Sequence, residues 1–154
     1  MNLIAPIGTR ISELLKVTGL KAQPGKVLIG GPMNGTAICS TDDPIVKVAN
    51  AVLVFDEKSA VLPEASACIN CGRCMEKCPI GISVFDVDRC LKIADEEKRV
   101  RKLIDTGVRQ CVDCACCSYV CPAHRPLLQI NQQAKSYLKQ IAAEQKEKAG
   151  GSTK

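Results

Sequence analysis

Two stretches of the chain share one cysteine pattern: CINCGRCMEKCP at 68–79 and CVDCACCSYVCP at 111–122. In each stretch, two residues separate the first, second and third cysteines, three residues precede the fourth, and proline follows it. Three thiolates at this spacing wrap three corners of a 4Fe-4S cluster, while the fourth points away and serves the neighbouring cluster. The pattern therefore predicts two 4Fe-4S clusters whose ligands are crossed between the two stretches.

The crossed arrangement assigns four cysteines to each cluster. The first cluster is predicted to take Cys68, Cys71, Cys74 and Cys121. The second is predicted to take Cys111, Cys114, Cys117 and Cys78. Cys116 stands beside Cys117 and would replace it if the loop shifted by one residue, but Cys117 keeps the two-residue step. Pro79 and Pro122 turn the chain out of the ligand loops, because proline fixes φ and lacks an N–H group.

Two zinc sites of four cysteines each are the structural alternative. Zinc motifs usually consist of two separated cysteine pairs and lack the third cysteine at a further two-residue step. Asn70, Gly72 and Ala115 are small or turn-forming neighbours of the ligands, and such residues let backbone N–H groups approach the sulfurs. The pattern thus favours iron-sulfur clusters over zinc.

Composition limits the class of protein. The 154 residues include 11 cysteines, and thiolates committed to clusters indicate a reducing compartment. No charged and apolar leader and no apolar run of about 18 residues is present, so we expect neither secretion nor a transmembrane segment of its own. Two clusters would lower the formal charge of +5 by about 4 units, and aromatic residues are scarce, which argues against nucleic-acid binding.

The first part of the chain predicts a small α+β unit. A helix is expected from Arg10 to about Val17, with Gly19 as its end. Strands are expected at 26–29 and 51–55, with Ile4 closing a further strand, in a mixed sheet. The glycines at 30–35 do not match a phosphate-binding loop and predict tight turns.

The remainder predicts a mainly α-helical unit around the cysteines. Hydrophobic residues at helical spacing indicate one helix from Val84 to Ile93 and a second at Val100–Ile104, with Gly107 ending it. An amphipathic helix follows Pro126. The predicted domains are a small α+β module at 1–55, a linker at 56–67, a ferredoxin-type domain with a helical insert at 68–143 and a flexible tail at 144–154.

The residues resemble a known family. The stretches CINCGRCMEKCPIGIS and CVDCACCSYVCPAHRPLLQINQQAK are similar to the C-terminal half of the C subunit of the Rnf ion-translocating electron-transport complex. Within this resemblance, the most specific segments are Ser118–Pro122 and Arg125–Leu127. Upstream, PIGTRISELL and KVLIGGPMNG resemble the soluble-ligand-binding β-grasp module that precedes the clusters in that subunit. The resemblance covers about residues 3–140 and implies an α+β fold: a small β-grasp-like domain followed by a two-cluster ferredoxin-type domain.

The resemblance implies a peripheral subunit on the cytoplasmic, inner face of the cell membrane. Such a subunit belongs to a complex that passes electrons between NADH and ferredoxin while it moves Na⁺ or H⁺, and all eight ligand cysteines match the pattern of the family. Members of the family carry a large NADH- and flavin-binding domain before the β-grasp module, whereas this chain begins at the module. We therefore expect a fragment or short form, with no flavin or NAD site and no catalytic residues of its own.

The expected partners are the other subunits of a membrane complex, redox donor and acceptor proteins, or an upstream NADH and flavin domain. Alternative functions are an independent ferredoxin-like or corrinoid-reductase-type electron carrier, a zinc-binding assembly module, and a β-grasp unit that binds a small ligand.

The remaining cysteines, the single histidine and the basic residues near the clusters are expected to have ordinary structural roles. Cys39 and Cys90 are expected to be ordinary small residues, buried or half-exposed. His124 is expected in a solvent-facing loop, with a hydrogen bond to a sulfur as the alternative. Four basic residues would offset cluster charge and guide a partner, or are ordinary solvated charges: Lys58, Arg73, Lys77 and Arg109.

Overall fold

The computed structural model describes residues 1–20 and 24–150 and divides the chain into two units, Met1–Pro63 and Glu64–Lys154. The first unit contains a three-stranded sheet with short helices. The second unit holds both cysteine runs and, within the residues described, is helical. The α+β class predicted from the sequence is confirmed.

The sheet of the first unit is antiparallel throughout. The elements are α1 (Ile11–Val17), β1 (Lys26–Ile29), β2 (Thr36–Ala37), β3 (Val52–Phe55) and α2 (Glu57–Ala60). Strand β1 lies in the middle and pairs Leu28 with Ala37 of β2 on one side and with Leu53 of β3 on the other. The expectation of a mixed sheet was wrong, because both pairings are antiparallel; for β1 and β2, the short connection permits only a hairpin.

Three details of the first unit depart from the sequence prediction. Ile4 is fully exposed and lies outside the strands, so it does not close a strand as expected. Strand β2 has two residues, too few for an alternating pattern to reveal. Helix α2 lies inside the predicted linker and is capped by Asp56, whose carboxylate accepts a hydrogen bond from the Ser59 N–H at 2.8 Å.

The glycines after β1 form a tight turn, as predicted. Gly30 has a φ of +106°, and a Cβ atom on Gly35 would lie 2.5 Å from the carbonyl oxygen of Gly31. A side chain at Gly35 would therefore block the turn that returns the chain to the sheet. Helix α1 ends where expected: Thr18 is its C-cap, and Gly19 follows with a φ of +75°.

The second unit alternates short helices in the cysteine runs with longer helices between and after them. The elements are α3 (Arg73–Glu76), α4 (Val84–Leu91), α5 (Glu96–Asp105), a 3₁₀ turn (Val108–Gln110), α6 (Cys116–Tyr119) and α7 (Leu127–Gly150). Asp95 caps α5 by accepting from the Lys98 N–H at 2.7 Å, and Gly107 follows it at a φ of +75°. The helices predicted between the runs and after Pro126 are therefore present.

Helices α4, α5 and α7 enclose the main hydrophobic core. Val87 of α4, Leu103 of α5 and Leu138 of α7 are buried together. A second cluster of Ile82, Val84 and Leu127 packs against the ligand loops. The core thus fixes α4 and α7 directly behind the two cysteine runs.

Helix α7 is longer than the sequence prediction. It continues to Gly150, into the segment predicted as a flexible tail, because residues 142–149 are all good helix formers; residues 151–154 of that tail lie outside the described residues. At its start, the Ser118 hydroxyl of α6 accepts a hydrogen bond from the Leu128 N–H at 2.8 Å. In the described part of the chain, no helix is both long and apolar enough to cross a membrane.

Candidate metal centres

Two cavities of the second unit are lined by cysteines. The first cavity is lined by Cys68, Cys71, Cys74 and Cys121. The second cavity is lined by Cys78, Cys111, Cys114 and Cys117, together with Cys116. Each cavity therefore brings together three cysteines of one run and the fourth cysteine of the other, in the same groups that the spacing predicts.

The ligand loops owe their shape to residues in the left-handed backbone region. Asn70 and Asp113 precede the second cysteine of each run with φ of 56° and 54°, and Gly72 and Ala115 follow it with φ of 75° and 64°. Asparagine, aspartate and glycine adopt this conformation most readily. Each loop then enters a one-turn helix, α3 or α6, which carries the buried third cysteine of its run.

The walls of the two cavities come from equivalent positions of the two runs. Phe85 in the first cavity and Leu128 in the second lie equally far beyond the first cysteine of their run. Asp88 and Asn131 form a second equivalent pair. Helix α4 and the start of α7 are thus counterparts, and the cavities differ mainly in their polar side chains.

The first cavity contains an ion pair in its wall. Arg125 Nη2 lies 2.9 Å from Asp88 Oδ2, and both side chains are largely buried. Burial alone would raise the pKa of Asp88, but hydrogen bonds from Lys92 and Arg125 outweigh it and lower that pKa. The pKa of Arg125 is raised, chiefly by its hydrogen bond to Asp88 and to a smaller extent by the sulfur of Cys68. A permanent cation therefore stands beside one ligand sulfur.

The second cavity is bordered by two polar residues of α7. Asn131 Nδ2 donates to Cys111 Sγ at 3.8 Å. Lys135 Nζ donates to the carbonyl oxygen of Cys111 at 2.9 Å and to Asp113 Oδ2 at 2.7 Å. The loop of the first run is held in a similar way, since Arg89 of α4 donates to Asn70 Oδ1 at 2.8 Å. Helices α4 and α7 therefore each send a basic side chain to the loop of their own run.

The donor set fits iron-sulfur clusters. Burial raises the pKa of the Cys74 and Cys111 thiols and raises that of Cys117 to about 11, so these groups are protonated at neutral pH until a metal displaces the proton. The predicted ligands of both cavities are cysteines, the residues that hold 4Fe-4S clusters in proteins.

Exposure differs between the cavities. Cys68 and Cys71 are exposed, whereas each of the ligands predicted for the second cavity is buried or half-buried. Cys117 is buried and Cys116 half-buried, and both line the second cavity. The predicted ligands of the first cavity are therefore more exposed to solvent than those of the second.

The remaining sequence candidates lie in less specialised surroundings. His124 is exposed in the loop after Cys121, and Cys90 is buried in the hydrophobic core, while Cys39 is exposed. Among the four basic candidates, Arg73 lines the first cavity, Lys77 pairs with Glu76, Arg109 is exposed, and Lys58 belongs to the first unit.

The sequence did not single out the polar residues that border the cavities. They are Asp88, Arg125, Asn131 and Lys135. One signal was present for Asn131, which stands in the apolar stripe of α7 between Leu127 and Ala134. A polar residue at such a position is a candidate for a specific contact.

Comparisons with known proteins agree with the cysteine chemistry. A family of 4Fe-4S dicluster domains matches residues 60–122. The chain is 38% identical over 99 residues to the C subunit of an ion-translocating oxidoreductase complex of Rhodobacter capsulatus. The aligned stretch covers 62% of this chain and 19% of that protein. It is 43% identical over 83 residues to the corresponding subunit of Yersinia pestis, covering 53% of this chain and 13% of that protein.

A third relative is more distant in origin. The corresponding protein of Methanosarcina acetivorans is 34% identical over 82 residues, which make up 53% of this chain and 18% of that protein. The matched part of the chain thus spans less than a fifth of the length of these relatives. Within that part, the predicted resemblance to the C subunit is confirmed, and the similarities support an iron-sulfur electron-transfer protein.

Proposed function

Because the chain is related to the C subunit of ion-translocating oxidoreductase complexes, we propose that it is an electron relay that binds two 4Fe-4S clusters. The observation that carries this proposal is the grouping of eight cysteines into two cavities, each lined by four predicted ligands. Cys68, Cys71, Cys74 and Cys121 would hold one cluster, and Cys78, Cys111, Cys114 and Cys117 the other.

The residues of the cavities supply what a relay needs. When bound, a 4Fe-4S cluster takes up and releases one electron. Four cysteine ligands leave no open iron position for a substrate, and Phe85, Leu127 and Leu128 restrict water around the sulfurs. The chain therefore binds the two clusters, shields them from water and holds them in place. The chemistry that it supports is electron transfer without a catalytic side chain.

Electron exchange with a partner is proposed at the rim of the first cavity. Cys68 and Cys71 are exposed there, and Ile69 between them is 64% exposed. Arg73 adds a positive charge to the same rim. An apolar and basic rim around solvent-facing ligands suits a redox partner with an acidic surface, because electrostatic complementarity steers such encounters.

Metal analysis of anaerobically purified protein tests the relay. We expect a brown, reducible sample with about eight irons per chain. Colourless protein that holds two zinc ions would contradict the proposal and favour the assembly module. Titration with flavin and NADH in the same preparation tests the further expectation that neither binds to this chain.

The parent assembly is proposed by similarity. The relatives are named as C subunits of ion-translocating oxidoreductase complexes, which supports a role in such a complex. From the resemblance alone, the proposal adds a peripheral position at the inner face of the membrane and electron exchange between NADH and ferredoxin. Capture of the tagged chain from anaerobic membranes should recover further subunits of such a complex. Recovery of the chain alone from the soluble fraction would instead favour an independent carrier.

A further inference from the structure

The first cysteine of each run has a different polar neighbour. Cys68 lies near Arg125, which is paired with Asp88. Cys111 lies 3.8 Å from the amide nitrogen of Asn131. Since Asp88 and Asn131 occupy equivalent positions in the two halves, the same helical position carries a paired carboxylate in one cavity and a neutral amide in the other.

Asn131 is buried to a degree that packing alone does not explain. Asn131 is only 1% exposed. It stands in the apolar stripe of α7 that also contains Leu127, Ala134 and Leu138. In the described part of the chain, its Oδ1 atom finds no hydrogen-bond partner. Burying an amide without hydrogen bonds is costly, and the contact of Nδ2 with Cys111 Sγ is the hydrogen bond that the described residues give this side chain.

Asp88 cannot make the equivalent contact in the first cavity. It has no N–H group, and its Oδ2 atom accepts from Lys92 at 2.8 Å and is paired with Arg125 at 2.9 Å. Arg125 itself stands at the position that Ile82 occupies in the second cavity. The first cavity therefore offers its predicted ligand sulfur the charged Arg125 guanidinium, which Asp88 partly offsets, and the second offers an uncharged N–H donor.

We propose that Asn131 is a positioning residue that acts through Cys111: its amide N–H donates to this ligand sulfur and raises the reduction potential of the second cavity's cluster. This inference rests on the function proposed above. Hydrogen bonds to the sulfurs stabilise the more negative reduced state, so their loss favours the oxidised state. The two halves of the chain are therefore electronically unequal even though their cysteine spacing is identical.

Redox titration of the full chain, followed by electron paramagnetic resonance under anaerobic conditions, tests the inference. Asn131→Leu removes the donor and fills similar space. We expect the ratio of reduced to oxidised cluster, at a fixed potential, to fall about tenfold for one cluster, equivalent to about 59 mV for a one-electron couple. Asn131→Asp keeps the shape, adds negative charge and should give the larger fall.

A matched control lies on the same helix. Gln132 is exposed and does not line either cavity, so Gln132→Leu should leave both potentials unchanged. Iron content, measured on every variant, separates a change of potential from loss of a cluster.

The outcomes are distinct. Unchanged potentials in iron-replete Asn131→Leu and Asn131→Asp proteins would overturn the inference, because a space-filling role does not require a donor. Loss of the second cluster from both variants would also overturn it, since the side chain would then serve assembly. Wild-type protein without iron would instead defeat the proposed relay itself.

Discussion

At the scale of single residues, the two ligand loops adopt the same backbone conformation with different side chains. Gly72 and Ala115 occupy equivalent left-handed positions before α3 and α6. An L-residue in this region costs roughly 1–2 kcal/mol, and glycine avoids most of that cost. Ala115 accepts the strain and is only 3% exposed, so its methyl group gains burial in return.

This difference predicts unequal effects of reciprocal substitutions on the stability of the protein. No atom of the described residues lies within 4 Å of a Cβ built on Gly72, so Gly72→Ala adds strain without compensation and should cost about 1 kcal/mol. Ala115→Gly relieves strain but loses a buried methyl group worth about 0.8 kcal/mol, so its net effect should be near zero. Thermal unfolding midpoints of the iron-loaded variants, at one scan rate, measure both. Equal destabilisation by the two changes would contradict the assignment of the cost to backbone strain.

The adjacent cysteines of α6 give a second prediction at this scale. Cys117 is the more buried of the two, and it keeps the two-residue spacing from Cys114. We expect Cys117→Ser to lose about four irons per chain, whereas Cys116→Ser should retain about eight. Anaerobic iron analysis with visible absorbance distinguishes the variants. The reverse result would identify Cys116 as the ligand and shift the loop by one residue.

At the scale of secondary-structure elements, periodicity predicted the long helices and missed the short ones. Helices α4, α5 and α7 carry hydrophobic residues at helical spacing, so sequence alone located them, although the end of α7 was missed. Helices α3 and α6 have four residues each, and each begins after a left-handed residue of a ligand loop. Four residues are too few to show a helical period.

The polar contacts around the cavities could not be predicted from the sequence, for a different reason. The contact between Asn131 and Cys111 and the pair between Arg125 and Asp88 each join residues far apart in the chain. Which side chains meet there depends on how α4 and α7 pack against the ligand loops, which no spacing rule states. The cysteine groups were accessible to sequence because their spacing reflects the geometry of the cluster itself.

At the scale of the whole molecule, the proposed crossed ligation would tie the two runs together. Cys78 lines the cavity of the second run, and Cys121 that of the first. Each proposed cluster would therefore connect segments on both sides of the helical insert. Stability of the second unit should consequently depend on both metal sites together, as in other small domains in which metal binding is coupled to folding.

Double substitutions provide a test of this crossing. If Cys78 serves the second cavity, Cys78→Ser combined with Cys117→Ser removes two ligands of one cluster and should leave about four irons. Cys78→Ser combined with Cys74→Ser removes one ligand from each cluster and should leave nearly none. Uncrossed ligation predicts the reverse pattern. Iron content relative to the single variants therefore decides between the two arrangements.

The raised thiol pKa values predict a pH dependence of the iron-free protein. Folding raises the pKa of Cys117 from its ordinary value of 9.0 to about 11 through burial, so the folded state holds this proton more tightly than the unfolded state. The resulting stabilisation is complete below about pH 9 and is lost as the pH rises towards 11. Urea unfolding of reduced, iron-free protein should therefore show a falling midpoint across this window.

Cys117→Ala should flatten that dependence, although Cys74, Cys90 and Cys111, whose pKa values burial also raises, will preserve part of it. Cys71→Ala changes an exposed cysteine of the same chemistry and serves as the control. Iron-loaded protein should behave in the opposite sense, because protons compete with iron for the thiolates and acid favours release. A midpoint of the iron-free protein that rises between pH 9 and 11 would show that the buried thiols do not govern its stability there.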